Sequence, residues 1–323
     1  MLARLTSSTT VTVESNYQLL IGTLVKLLTQ LTKKALFKSA FFAFVVFVFS
    51  QPAFGFNCDS NSLSAPENAI VKWVYDGDSL LLTDKRKIRI IGIDTPETKH
   101  HKQKAQAYGA KAREALRTLL KQFHYQVTLR YDEERKDKYG RVLAHVYLPD
   151  GTNISNWLLE RGFAKTLAFP PNVALAKCYK QSEKIAQAQL LKIWRYKGNQ
   201  VRDAASLPRR INGYVRLKGT ISKIKRYKKS LIMELESNTK RHIQLKIKRK
   251  NLKYFKEIAP DNIWNKIIIV SGILRNKKGK RTLYISHPSQ LELVDDNKER
   301  EQKQIQKNQV LKRSAKIKWS LQK

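Results

Sequence analysis

Ala69 to Tyr75 is strand-like, Asp76-Gly77 is a turn dipeptide, Ser79 to Thr83 resumes as a strand, and Lys85-Arg86-Lys87 turns into Ile88 to Ile93. Apolar, β-branched runs broken by such turns read as successive antiparallel strands. Helical spacing follows from Tyr108 to Phe123, with Ala112, Ala115, Leu116, Leu119 and Leu120 on one face. Gln126 to Tyr131 and Val142 to Leu148 are strands around a charged loop, Asp132 to Arg141. Asn153 to Arg161 reads as a helix stopped by Gly162, and Val173 to Trp194 as a second amphipathic helix. Strands that meander first, with helices interleaved afterward, predict an α+β fold around a small antiparallel barrel.

A second group of strands lies beyond a linker at Ser206 to Arg210. The runs are Gly213 to Ile224, Ser230 to Leu235, Arg241 to Ile247, Lys266 to Leu274 and Arg281 to Ile285, with a short helix expected at Lys250 to Ile258. Five strands with a helix at that point match the OB-fold order, and an SH3-like barrel is the competitor. The expected organisation is therefore a leader over 1–55, a first domain over 67–200, a second over 208–294 and a polar tail over 295–323. Trp73, Trp157, Trp194 and Trp264 are expected to fill cores.

Charge narrows the partners. The chain of 323 residues holds 63 Lys and Arg against 26 Asp and Glu, a formal charge of +37. A compact fold with that charge repels itself, and the usual reason to carry it is a polyanion, either nucleic acid or an anionic membrane. An apolar content of 42% excludes wholesale disorder. Lys33-Lys34-Ala35-Leu36-Phe37-Lys38 leads into the apolar run Ala40 to Phe49, then Gln51-Pro52 and Ala53-Phe54-Gly55. That order reads as an export signal cleaved near Gly55. A retained membrane anchor is the alternative, although the run is shorter than the ~20 residues needed to span. Its late position leaves residues 1–30 as a long n-region or as the product of a misassigned start. Two cysteines, Cys58 and Cys178, cannot build a zinc site alone. In an exported chain they either form one disulfide or stay as two free thiols.

The informative cluster is acidic inside a basic protein. Asp76-Gly77-Asp78 sits at a strand turn, and Asp94-Thr95-Pro96-Glu97 follows another strand. Asp78 and Asp94, at neighbouring strand ends, would converge on a hard cation with oxygen ligands. Glu97, held off such a metal by Pro96, would orient or deprotonate a water. Arg89 and Arg141 would clamp a phosphate, because the guanidinium fork matches two phosphate oxygens.

From Ala69 to Trp194 the chain resembles the staphylococcal-nuclease-like (thermonuclease) family. The resemblance rests on Tyr75-Asp76-Gly77-Asp78-Ser79, on Arg89-Ile90-Ile91-Gly92-Ile93-Asp94-Thr95-Pro96-Glu97-Thr98-Lys99-His100, on Tyr108-Gly109, on Asp137-Lys138-Tyr139-Gly140-Arg141 and on Ile193-Trp194. It implies an OB-type five-stranded barrel with packed helices and calcium-dependent hydrolysis of phosphodiester bonds in DNA and RNA. It also implies Ca2+ held by Asp78, Asp94 and the Thr95 carbonyl, with Glu97 as the base and Arg89 and Arg141 as the clamps. Lys138 and Tyr139 resemble contacts to the neighbouring phosphate. Ala164 to Asn172 resembles a nucleotide-pocket wall that offers Phe169 where tyrosines are usual. Ser79 stands where Thr is usual.

The second domain carries 23 Lys or Arg against 5 acids over 208–294. Tyr214, Tyr227, Tyr254, Phe255 and Tyr284 interleave with that charge, so it reads either as a nucleic-acid-binding module or as a merely basic barrel. The sequence therefore points to an exported monomeric nuclease with no small-molecule cofactor, touching membrane only through its N-terminal segment. The rivals are an exported nucleic-acid-binding protein without catalysis and a membrane-surface protein.

Overall fold

The computed structural model describes residue 58 and residues 61–98, 105–208, 211–236, 242–256, 260–277 and 279–294. The expected leader, the 295–323 tail and Lys99 and His100 of the quoted motif lie outside the described residues. Among the described residues no helix is long and apolar enough to cross a membrane. The described residues form one compact unit containing two barrels, each with its own apolar core.

The first barrel is built from β1 (Glu67–Val74), β2 (Ser79–Leu82), β3 (Lys87–Ile90), β5 (Gln126–Arg130) and β6 (Val142–Tyr147). It closes in the order β1-β2-β3-β6-β5, with β1 pairing back to β5 and β3–β6 as the parallel pair. Alternation explains the closure. Leu80, Leu82, Ile88, Ile90, Leu129 and Val146 all turn inward and are buried. Helices α1 (Gly109–Gln122), α2 (Ile154–Glu160) and α3 (Ala176–Ala188) cover this core. Asn153 caps α2 by accepting the Asn156 N–H at 3.0 Å.

The run expected as one strand from Ile88 to Ile93 is broken at Ile91. Its second part, β4 (Gly92–Asp94), leaves the barrel and pairs with β7 (Lys165–Leu167). Gly92 makes the bend possible. Its φ is +84°, and a Cβ there would meet the Tyr179 ring at 2.2 Å. The expected long helix to Trp194 also ends early, at Ala188. The backbone adopts positive φ at Leu190 and Lys192, and Ile193 and Trp194 sit in a 3-10 helix, Lys192–Arg195. A Cys58–Cys178 disulfide links the start of the described chain to α3, and Cys58 belongs to the first core.

The second barrel uses β9 (Gly213–Tyr227), β10 (Ser230–Leu235), β11 (Ile243–Lys248), β12 (Ile267–Lys277) and β13 (Lys280–Ile285). These run β9-β10-β11-β13-β12 and close through β12–β9, with β11–β13 parallel. Strand order and sense repeat those of the first barrel, in keeping with the expected α+β fold of two five-stranded barrels. Two short strands extend the sheet: β8 (Val201–Asp203) beside β9 and β14 (Leu291–Leu293) beside β12. Leu207, placed in the linker by sequence, is instead buried in the second core with Ala204. The helix expected at Lys250 to Ile258 is a 3-10 helix over Arg249–Tyr254. Trp194 is buried as expected and Trp157 packs half-buried, but Trp73 is 54% and Trp264 60% exposed, so neither fills a core. The Arg117 guanidinium lies 5.9 Å from the Trp73 ring.

Candidate active site

Three backbone devices bring the acidic residues together. The turn between β1 and β2 is tied by Asp76, whose Oδ1 accepts the Asp78 N–H at 3.0 Å. A Cβ on Gly77 would lie 2.6 Å from the Thr95 side chain, so a glycine is needed for the two loops to meet. The β4 excursion then delivers Asp94 and Thr95. Thr95 donates its N–H at 2.8 Å and its hydroxyl at 3.1 Å to Asp78 Oδ2.

Arg89 lies between the carboxylates, 3.2 Å from Asp78 and 3.6 Å from Asp94. It also donates to the Ile90 and Ile93 carbonyls at 2.6 and 2.9 Å. Burial pushes the Asp78 carboxyl up to about 6; Arg89 opposes this and Asp76 adds to it. The low-dielectric surroundings likewise raise Asp94, and the charge of Asp78 adds to that, while Arg89 and Lys165 pull it down. The Asp94 side chain nonetheless keeps an open edge to solvent.

Glu97 is held by a local frame. Its carbonyl accepts from Gln106 N at 3.0 Å, and its N–H donates to Gln106 Oε1 at 3.4 Å. A Cβ on Gly109 would stand 2.3 Å from that carbonyl, which explains the Tyr108-Gly109 pair. Arg141 arrives from the other side. The β3–β6 register sets Val142 opposite Ile88, so Arg141 precedes the strand that flanks Arg89. Asp137 holds it, accepting the Arg141 Nε at 2.8 Å and its N–H at 3.0 Å. Burial would raise Asp137, but these bonds and the Tyr139 N–H keep its carboxyl below the usual range.

The structure therefore places Asp78, Arg89, Asp94 and Thr95 within one cluster of hydrogen bonds and ion pairs, with Glu97 two residues beyond and Arg141 on the neighbouring strand's approach. Lys138 and Tyr139 share the Arg141 loop, with the ammonium 4.9 Å from the ring centroid and Tyr139 72% exposed. Phe169 is 71% exposed and lines the same cleft as Asp94. The sequence alone gave no role to Gln106, Asp137 or Lys165. Lys165 faces Asp94 across the β4–β7 pair, and no local pattern signals a pairing over that separation.

A sequence model described as "Staphylococcal nuclease homologue" matches residues 87–196. The chain is 39% identical to the thermonuclease of Staphylococcus intermedius over 133 residues, which are 40% of this chain and 76% of that protein. This chain belongs to the staphylococcal nuclease family. It is also 35% identical to the thermonuclease of Staphylococcus hyicus over 125 residues, 38% of this chain and 72% of that one. The SPbeta prophage-derived endonuclease YokF of Bacillus subtilis matches at 35% over 153 residues, 46% of this chain and 49% of that protein. The staphylococcal nuclease match ends at residue 196, before the second barrel begins.

Proposed function

We propose that this protein is an exported, calcium-dependent nuclease that hydrolyses phosphodiester bonds of DNA, RNA or both. Membership of the staphylococcal nuclease family, with relatives named thermonuclease and endonuclease, makes it a nuclease. The metal, the substrate range and the destination are the proposal. The observation that carries it is the convergence of Asp78, Arg89, Asp94 and Thr95 on one rim of the first barrel.

The donors there suit a hard cation. They are two carboxylates and the Thr95 carbonyl, with no His or Cys among them. Among the described residues no three His, Cys, Asp or Glu side chains gather into a metal group. The remaining positions of a calcium ion, which takes about 6–8 oxygens, would fall to water and phosphate. A bound cation would offset the burial that raises the Asp78 carboxyl. Bound calcium would neutralise phosphate charge and acidify a ligated water.

The chain's own side chains would do the rest. Glu97 takes the proton of the attacking water. Arg89 and Arg141 donate to the non-bridging phosphate oxygens, where negative charge builds as phosphorus gains its fifth ligand. Lys138 and Tyr139 hold the next phosphate, and Phe169 offers a stacking face. The basic segment before the apolar run and the disulfide across 120 residues support export to an oxidising compartment, periplasm or medium.

The test is incubation of plasmid DNA with purified protein. Calcium should make the DNA disappear and EDTA should preserve it. Full activity in excess EDTA would overturn the metal assignment. Intact DNA and RNA in calcium, with retained binding, would favour the non-catalytic reading.

A further inference from the structure

A cleft of about 650 Å³ opens between the two barrels, and it contains Asp94. Its first wall is β7 and the segment after it, carrying Lys165 and Phe169. Its second wall is the outer face of β11, β13 and β12. In β11 Ile243, Leu245 and Ile247 turn into the core, so Lys246 and Lys248 face outward. The parallel β11–β13 register sets Tyr284 beside Lys246. Tyr284 is 44% exposed, and the Arg275 guanidinium from β12 lies 5.9 Å from its ring.

The walls are fixed to each other. Lys180 on α3 contacts Glu183 at 2.7 Å and Glu292 of β14 at 2.9 Å. Ser286 Oγ donates to the Ala168 carbonyl at 3.2 Å. Lys165 Nζ stands 3.9 Å from the Tyr214 ring centroid. Glu183, an acid lining the cleft, is buried and already bonded to Lys180 and the Thr166 N–H. The accessible rim of the second wall is thus positive, with an exposed aromatic face set among the cations.

We propose that this cleft is a track for single-stranded nucleic acid that reaches the acidic cluster at Asp94. Bases stack on Phe169 and Tyr284 while phosphates run along Lys246, Lys248 and Arg275. The chemistry selects the occupant. Cations alone would accept any polyanion, but exposed aromatic faces reward only unpaired bases, which a duplex keeps stacked inside. The proposal rests on the nuclease reading for what happens at Asp94, and on the second wall for binding.

Binding is measured without cleavage, on the full chain in EDTA. The probe is a fluorescein-labelled oligothymidylate of about 16 nucleotides, the upper site size of one such barrel. Anisotropy is followed at several salt concentrations. Tyr284→Ala should weaken binding about tenfold, within the range for a lost stacking contact, and Tyr284→Phe should bind as the parent does. Lys246→Glu with Lys248→Glu should weaken it further. That pair should also reduce the salt slope by about 1.4, two phosphate contacts at roughly 0.7 each. Lys228→Glu with Lys229→Glu, in the β9–β10 turn, makes the same change of charge outside the cleft and should cost far less. Equal losses from the two pairs, unchanged affinity in Tyr284→Ala, or equal weakening for a duplex would each overturn the track. Cleavage in calcium is scored separately. A parent chain that binds through these residues but never cuts refutes the nuclease reading alone, and one that cuts while the variants bind normally refutes the track alone.

Discussion

Arg141 and Glu97 owe their positions to neighbours that do no chemistry. Asp137 holds the arginine through two hydrogen bonds, and Gln106 with Gly109 holds the Glu97 backbone. Both side chains act on charge that peaks in the transition state, so Arg141→Ala and Glu97→Ala should each lower turnover by at least ~10²-fold. The melting temperature should barely move. A folded Arg141→Ala protein of near-normal activity would remove the clamp assignment. A different residue governs the response to acid. Burial holds the His145 imidazole below its ordinary value, and Asp132 at 3.9 Å opposes that shift. Its Nδ1 meets the Tyr179 hydroxyl at 2.8 Å. An unfolded histidine titrates near ~6.5. Below that pH the unfolded chain takes up a proton that the folded one resists, so this group costs stability as pH falls from about 6.5 and nothing above it. His145→Gln lacks that proton uptake. Urea unfolding between about pH 5 and 8 should show a steeper acid-side loss in the parent than in the variant. Parallel curves would assign the acid response to other groups.

Elements explain why some of the site was legible and some was not. The Asp76-Gly77 turn, the Asp94-Thr95-Pro96-Glu97 segment and the Arg141 loop are local patterns, and each landed where the sequence placed it. The β4 excursion was not legible, because nothing in Arg89 to Asp94 states that Gly92 must take φ +84° against the ring of Tyr179, far along the chain. Lys165 stayed hidden for the same reason, as did β8 and β14, three-residue strands with no period to read. Trp73 and Trp264 misled because size suggests burial, yet an amphipathic ring can lie on a surface, as Trp73 does beside Arg117. The contact between α3 and β14 yields its own prediction. Lys180 and Glu292 are both largely buried, and Lys184 and Arg216 approach the same carboxylate. These cations hold Glu292 below the usual carboxylate range although burial pushes it up. Glu292→Gln leaves Lys180 with Glu183 but removes the charge that joins the barrels. It should cost about 1.5–3 kcal/mol, the range for a hydrogen bond made to a charged group. The urea midpoint measures it, and an unchanged midpoint would show that the ion cluster adds nothing to barrel docking.

At the scale of the whole molecule, α3 is the common support. Its Tyr179 packs against Gly92 and sets the β4 bend, its Lys180 reaches the second barrel, and its Cys178 is bonded to Cys58. The sequence left the two cysteines open between a bond and two free thiols, and the structure contains the bond, with Cα atoms 5.7 Å apart. The bridge closes a loop of 120 residues that includes every strand of the first barrel. A crosslink over so long a loop restricts the unfolded chain far more than the folded one, and should be worth roughly 2–4 kcal/mol. Cys58 also sits in the first core, so reduction loosens a packed residue as well as a tether. Two measurements check this. Thiol titration of the denatured, unreduced protein should find no free thiol. Urea unfolding with a phosphine reductant should then shift to a lower midpoint at pH 7 while the folded baseline persists. Two titratable thiols per chain would refute the bond, and an unmoved midpoint after complete reduction would show that α3 is held by its packing alone.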